Sequence, residues 1–170
     1  QKRFLLTRYR KNLTVLNLYV VNGHEVGSEK YKYKLSWLKE ITKHVKQDLI
    51  KTKYYAIVGD FNIAPENQDV YDPDAWEEKI LCSKKERLAL KNILKLGFSD
   101  TFRLFPQKKD LYSWWDYRTG AFRRNRGLRI DLVLTNSALS KKCKSSYIDT
   151  NPRKNERPSD HAPVISTFDI

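Results

Sequence analysis

Two apolar runs separated by a long amphipathic stretch decide what this chain can fold into. Leu13-Thr14-Val15-Leu16-Asn17-Leu18-Tyr19-Val20-Val21 is rich in β-branched and aliphatic residues and reads as a buried strand. Tyr54-Tyr55-Ala56-Ile57-Val58, ending at Gly59, reads as another. Between them Ser28 stands as a helix N-cap, and Leu35, Leu38, Ile41, Val45 and Leu49 recur at helical spacing with lysines opposite. Strand, helix and strand in that order make a β-α-β crossover, which sets two strands parallel under a helix.

The remaining pattern continues this α/β theme. Phe4 to Tyr9 is the expected hairpin partner of the first strand, joined by a turn near Lys11-Asn12. After Asn62 the chain is irregular through Pro65 and Pro73, as a surface loop would be. Ser83-Lys84-Lys85-Glu86 is a capping box for a second helix that stops at Gly97. Tyr112 to Tyr117 is aromatic and strand-like, residues 118–127 form a basic loop closed by Gly127, and Leu128–Leu134 and Pro163–Phe168 are two more strands. Repeats and linker composition are absent, so residues 1–170 read as one α/β unit.

The chain has 33 Lys and Arg against 20 Asp and Glu, a formal charge of +13, which raises association with polyanions and nucleic acid above all. A merely solubilising surface would have the same total, but the distribution is uneven. From Arg118 to Arg157 there are eleven basic residues and three acids, Asp131, Asp149 and Glu156. No apolar run approaches the ~20 residues of a membrane-spanning helix. Cys82 and Cys143 have no metal-type or redox-type spacing and read as ordinary thiols in a reducing compartment. No secretory signal pattern is visible. There is no methionine and the chain opens at Gln1, which points to residues upstream that are not part of this sequence.

The residues with chemistry stand at the ends of the apolar runs. In Gly59-Asp60-Phe61-Asn62, a carboxylate able to hold water or metal lies two residues from a neutral amide, and in extended chain both would face one side. The same four residues are also ordinary turn chemistry. Asp160-His161 sets a metal-type carboxylate beside a group that titrates near neutrality. His24, in a turn, and His44, on the helix among lysines, receive no catalytic role. Asp131 interrupts the apolar run Leu128–Leu134, and a buried carboxylate is costly unless paired. His161 would serve as its partner; so would Arg126 or Arg129, and the sequence weighs these equally.

Four ordered segments carry a resemblance. Gly59-Asp60-Phe61-Asn62, Ser113-Trp114-Trp115-Asp116-Tyr117-Arg118, Asn125-Arg126-Gly127-Leu128-Arg129-Ile130-Asp131 and Ser159-Asp160-His161-Ala162-Pro163 together resemble the exonuclease III family of apurinic/apyrimidinic endonucleases. Tyr19-Val20-Val21-Asn22-Gly23 fits as well, with Val21 where that family usually has Pro. The resemblance implies the four-layered α/β sandwich of the endonuclease/exonuclease/phosphatase superfamily and an intracellular DNA-repair hydrolase. It implies base-excision-repair chemistry: Mg²⁺- or Mn²⁺-dependent hydrolysis 5′ to an abasic site in double-stranded DNA, with 3′→5′ exonuclease and 3′-end cleaning activity. Its location would be the bacterial cytoplasm and nucleoid, or an organelle or nucleus.

By the same resemblance, Asp60 activates or positions the attacking water, Asn62 holds it, and His161, oriented by Asp131, contacts the scissile phosphate. Tyr19 stands near the leaving oxygen and Asn22 at the substrate. Asp160, with Asp60 and Asn62 in some arrangements, binds the metal. Trp114, Leu128 and Ile130 wall a pocket for the flipped-out abasic sugar, though without the motif context plain core packing is the preferred reading of three such apolar residues. Arg118, Arg126 and Arg129, with Arg123 and Arg124, contact phosphates.

The family pattern also has an N-terminal portion, roughly a third of a typical member, that finds no counterpart here and includes the glutamate that is its principal metal ligand. The sandwich is therefore expected to be incomplete at its N-terminus, with residues 1–170 forming the C-terminal two thirds of one domain. A separate segment or chain would complete it. Two other functions stay open: a basic nucleic-acid-binding component without independent catalysis, and another phosphodiesterase of the superfamily.

Overall fold

The computed structural model describes residues 3–10 and 12–170. The elements run β1 (Phe4–Tyr9), β2 (Leu13–Tyr19), α1 (Glu29–Asp48), β3 (Tyr54–Asp60), α2 (Lys84–Leu94), β4 (Phe98–Asp100), β5 (Asp131–Asn136), α3 (Ser137–Ser140), β6 (Cys143–Ile148) and β7 (Val164–Phe168), with short 3-10 turns between them. Lys11 of the expected β1–β2 turn lies outside the described residues, and Asn12 N–H donates to Tyr9 O at 3.2 Å beside it.

A five-stranded mixed sheet in the order β1-β2-β3-β5-β4 forms the frame, and β6 and β7 pair as a second sheet. The crossover read from the sequence is present: β2 and β3 are parallel and α1 joins them. Ser28 caps α1 by accepting from Tyr31 N–H at 3.2 Å. The capping box at Ser83 and Glu86 opens α2. Both helices press on the large sheet through Leu38, Ile41, Val45, Leu90 and Ile93, which meet Leu16, Leu18, Tyr55, Ile57, Leu132 and Leu134 in one cluster. Each fully buried aliphatic side chain there contributes about 1.5–3 kcal/mol. Thr101 ties the two sheets together, its hydroxyl lying within 3.1 Å of Val133 O, Ser146 Oγ and Ser166 Oγ.

Three expectations need correction. The inward stripe of α1 is Tyr31, Lys34, Leu38, Ile41, Val45 and Asp48, so Lys34 is in the core and not on the lysine-rich outer face. Tyr112–Tyr117 is not a strand. It threads between two other segments, with Trp114 N–H donating to Leu128 O, Trp115 N–H to Asp160 O and Ser113 O accepting from Ala162 N–H, which leaves no single ladder partner. The strand expected from Leu128 begins only at Asp131, because Arg129 N–H goes to Asp69 O and Ile130 N–H to Ser113 Oγ instead of a neighbouring strand.

Candidate active site

Strand register brings the first group of residues together. Tyr19 pairs with Asp60 across the parallel β2–β3 ladder, and Asp60 pairs with Asp131 across the antiparallel β3–β5 ladder. A phenol and two carboxylates therefore stand in a row at one end of the sheet. Gly59 makes this end possible. Its φ is +124°, and a Cβ there would lie 2.1 Å from Leu18 O.

Asp60 and Asn62 do meet, by a turn and not by strand alternation. Asn62 has φ +49°, its N–H donates to Asp60 Oδ1 at 2.8 Å, and its Nδ2 donates to Asp60 Oδ2 at 2.8 Å and to Val20 O at 2.9 Å. Asparagine tolerates this left-handed conformation better than most residues. Asn22, exposed at the loop after β2, donates to Asn62 Oδ1 at 3.3 Å. The turn and the cluster are one arrangement.

The second group centres on Asp131, whose pairing is now settled. Asp131 Oδ2 lies 2.8 Å from His161 Nδ1, and Ser113 Oγ donates to the same oxygen at 2.7 Å. Ser113 Oγ also accepts from Ile130 N–H and Asp131 N–H, each at 3.0 Å, so one buried hydroxyl locks the carboxylate to its own backbone. With Nδ1 engaged, the imidazole keeps Nε2 for another partner. Beside it Trp114 Nε1 donates to Asp160 Oδ2 at 2.9 Å, and an isolated bridge joins Trp114 to His161. Sequence reasoning missed Ser113 as a positioning group. Its place opening the Ser-Trp-Trp segment was the available signal.

The electrostatics move Asp60 and His161 in the same direction. Burial pushes the Asp60 carboxyl up to about 6, and the facing charge of Asp131 adds to the rise. The Asn62 backbone N–H, the His161 charge and the Lys34 charge oppose it. Burial pulls the His161 imidazole down, but the hydrogen bond to Asp131 and the charges of Asp131, Asp60 and Asp160 outweigh it, so the group lies above its ordinary value.

Other expected residues are placed differently. Arg129, expected at phosphates, is 0% exposed. Its guanidinium pairs with Asp69 and Asp100 at 2.7 Å and lies 4.8 Å from the centre of the Phe102 ring, so it is a core cation. Leu128 and Ile130, expected as pocket walls, are buried with Ala64, Val70, Leu81 and Cys82 and support the Trp114 segment from behind. Trp114, Arg118 and Arg126 do share a cavity of about 340 Å³ with Trp76 and Tyr71. Arg118 and Arg126 are exposed there, Arg118 paired with Asp116 at 2.7 Å, and Arg123 and Arg124 are exposed nearby. Tyr19 is exposed, with the Arg3 guanidinium 5.0 Å from its ring centre.

Enzymes of the exonuclease III family are generally divalent-metal dependent. The donors present do not by themselves complete such a site. Among the described residues, no group of three or more His, Cys, Asp or Glu side chains is arranged to hold a metal ion. Both Asp60 oxygens are engaged by Asn62, and Asp160 already accepts from Trp114.

Comparison with known proteins agrees with this fold. The endonuclease/exonuclease/phosphatase family profile matches residues 3–161, and the chain belongs to that family. It is 33% identical to exodeoxyribonuclease III of Haemophilus influenzae, over 99% of this chain and 67% of that protein. It is 31% identical to an exodeoxyribonuclease of Bacillus subtilis, over 100% of this chain and 66% of the other. Among solved structures, a 3′-5′ exonuclease from Neisseria meningitidis superposes with a TM-score of 0.96 at 40% identity, covering 100% of this chain and 66% of that one. An AP endonuclease from Archaeoglobus fulgidus gives a TM-score of 0.91 at 35% identity, covering 99% and 65%. The chain thus spans about two thirds of the length of these relatives.

Proposed function

We propose that this chain is the C-terminal two thirds of a single-domain DNA-repair nuclease that hydrolyses a phosphodiester 5′ to abasic sites and also trims 3′ ends. The observation that carries the reading is the meeting of Asp60–Asn62 with the Asp131–His161 pair across β3 and β5. The names of its relatives, exodeoxyribonuclease III and AP endonuclease among them, point the same way. So does the Neisseria 3′ phosphatase structure, which holds a product DNA hairpin.

In this reading water attacks the phosphorus and gives its proton to Asp60, whose carboxylate lies near the basicity that such transfer favours. The new P–O bond forms as the bond to the 3′ oxygen breaks, with Tyr19 next to the departing oxygen and Asn62 orienting the attacking one. His161, protonated and held by Asp131, donates to a non-bridging phosphate oxygen as charge gathers there. Trp114 borders the sugar pocket, Asn22 touches the substrate, and Arg118 and Arg126 track the backbone of double-stranded DNA.

Mg²⁺ or Mn²⁺ would supply a charge sink for the phosphorane. Asp160 would offer it a carboxylate oxygen, with Asp60 and Asn62 as further candidate donors, and the remaining ligands would come from a segment or chain outside these 170 residues. A cleft of about 500 Å³ lined by Gly59, Asp131, Leu132, His161 and Val164 opens beside the cluster and gives such a segment room. The two free thiols fit a reducing, intracellular setting. No helix among the described residues is long and apolar enough to cross a membrane.

The test is incision of a duplex bearing one abasic analogue against the matched intact duplex, with Mg²⁺ and with EDTA. Metal-dependent cutting 5′ to the lesion is expected, and equal rates on both duplexes would sink the assignment. A second reading, DNA binding without catalysis, draws on the absence of a complete metal-holding group among the described residues. Binding with no Mg²⁺-dependent cutting, even with the family's N-terminal segment added, would establish it.

A further inference from the structure

Behind the Asn22–Asn62 pair lies a lysine that the sequence pattern did not assign to the site. Lys34 stands on α1 in register with Leu38, Ile41 and Val45, and its side chain is 0% exposed. Its Nζ donates to Asn62 O at 2.7 Å, to Asn22 O at 3.0 Å and to Glu86 Oε1. An ammonium has three N–H groups, and here each has an acceptor. Two of them end on the main chain of the two asparagines whose side chains meet at 3.3 Å.

The surroundings hold this cation in one place. Glu86 also accepts from Leu81 N–H, Ser83 N–H and Ser83 Oγ, and Tyr31 OH lies 2.8 Å from that hydroxyl. Gly23 packs along the lysine stem, where a Cβ would come within 3.2 Å of Lys34 Cδ. Stability alone does not account for the choice of residue. A buried ion pair gains little over apolar side chains of similar volume, and a methionine would fill this position. What a methionine could not do is hold two carbonyls from two different loops.

We propose that Lys34 is a positioning residue for the cleavage site: its ammonium clamps the loop after β2 to the turn after β3, setting both amides. Asn62 then transmits the setting to Asp60, since its backbone N–H and its Nδ2 each bond one Asp60 oxygen. The catalytic part of this claim rests on the reaction proposed above. The clamp itself does not.

Lys34→Met alone would strand the Glu86 charge, so the test uses Lys34→Met/Glu86→Gln in the full chain, with Glu86→Gln as reference. Glu86→Gln leaves the Lys34 charge without its carboxylate and should lower stability, but it keeps both carbonyl bonds of Lys34 and should hold kcat of the folded enzyme within about threefold of wild type. The double variant should lower kcat about 100-fold, the scale of loss for a misplacement near 1 Å, with KM for DNA changed less than about twofold. Its ¹H–¹⁵N spectrum should show displaced Asn62 backbone and Asn22 and Asn62 side-chain amide signals, which reads the clamp without any cleavage assay. A double variant with wild-type kcat, or one altered only in KM, overturns the proposal. If the double variant does not fold, the wild type decides: a slowly exchanging Lys34 ammonium coupled to the Asn22 and Asn62 carbonyls supports the clamp, and its absence refutes it. If wild-type protein cuts no DNA, the functional reading fails, while the amide spectrum still reports on Lys34.

Discussion

Two acid clusters lie on or beside the same large sheet, and the fold treats them in opposite ways. Asp69 and Asp100 receive permanent cations: Arg129 bonds both, and Arg103 bonds Asp69. Among the described residues, Asp60 and Asp131 receive no such permanent cation at hydrogen-bond distance. Asp60 is held by the amide and N–H of Asn62, and Asp131 by Ser113 and an imidazole. Guanidinium cannot lose its proton in a protein, so the first cluster is a fixed joint between the loop after β3, β4 and the start of β5. Imidazole can, and a carboxyl held near 6 can accept a proton, so the second cluster stays adjustable at a half-buried end of the sheet. Titratable compensation marks the candidate site, and permanent compensation the region that supports it.

Arg129→Met gives the largest break of this comparison. It leaves Asp69 and Asp100 short of their shared cation, and a loss of about 3–5 kcal/mol is expected in urea unfolding. The matching change in the other cluster should behave differently. Asp60→Asn should cost little stability but reduce cleavage by roughly 10³-fold, with DNA affinity in a gel-shift titration nearly unchanged. Equal stability losses for the two variants would erase the distinction drawn here.

The pH dependence sharpens it. Because the folded carboxyl of Asp60 sits near 6, above its ordinary value of about 3.9, the native state holds that proton more tightly than the unfolded chain does. Its contribution therefore falls as pH rises from about 4 to 6, by up to about 3 kcal/mol, and is level above. His161, also raised, acts in the same direction: its stabilising charge is complete below the ordinary imidazole value of about 6.5 and is lost as pH climbs through the folded one. Thermal melts in EDTA should show wild type losing more between pH 4 and 7 than Asp60→Asn, and the reverse order would contradict the sign. The smallest effect belongs to the exposed rim. Arg126→Ala should reduce the slope of log affinity against log salt by about 1 without changing the melting temperature.

Local pattern carried the sequence reading where contacts are local. The β2-α1-β3 crossover and the capping box of α2 depend on residues a few positions apart, and both were legible. Asp60, Asn62 and His161 were singled out too, and the fold gathers them at one end of the sheet, though the route by which Asp60 and Asn62 meet was not legible, since Asn62 turns left-handed. Arg129 was misplaced because its partner Asp69 is 60 residues away, while its sequence neighbours are surface arginines. Lys34 was not singled out, because lysines crowd the helix and were placed as a group opposite its apolar stripe. Its register with Leu38 was visible, but Glu86 and the two carbonyls it meets were not. The polar strand β6, Cys143–Ile148, lacks any alternation of apolar residues and forms only because β7 pairs with it.

Gly59 has an implication for mutational surveys of this protein. A Cβ at Gly59 would meet Leu18 O at 2.1 Å, and at Gly127 it would lie 2.5 Å from Trp115 Nε1. Neither glycine has a side chain to offer a substrate. Yet a survey scored only by activity will rank both beside Asp60, because a side chain at either would wedge apart the backbone that carries the site. Scoring abundance alongside activity separates the two kinds of intolerance: the glycine variants should vanish from the cell, and the Asp60 variants should accumulate as inert protein.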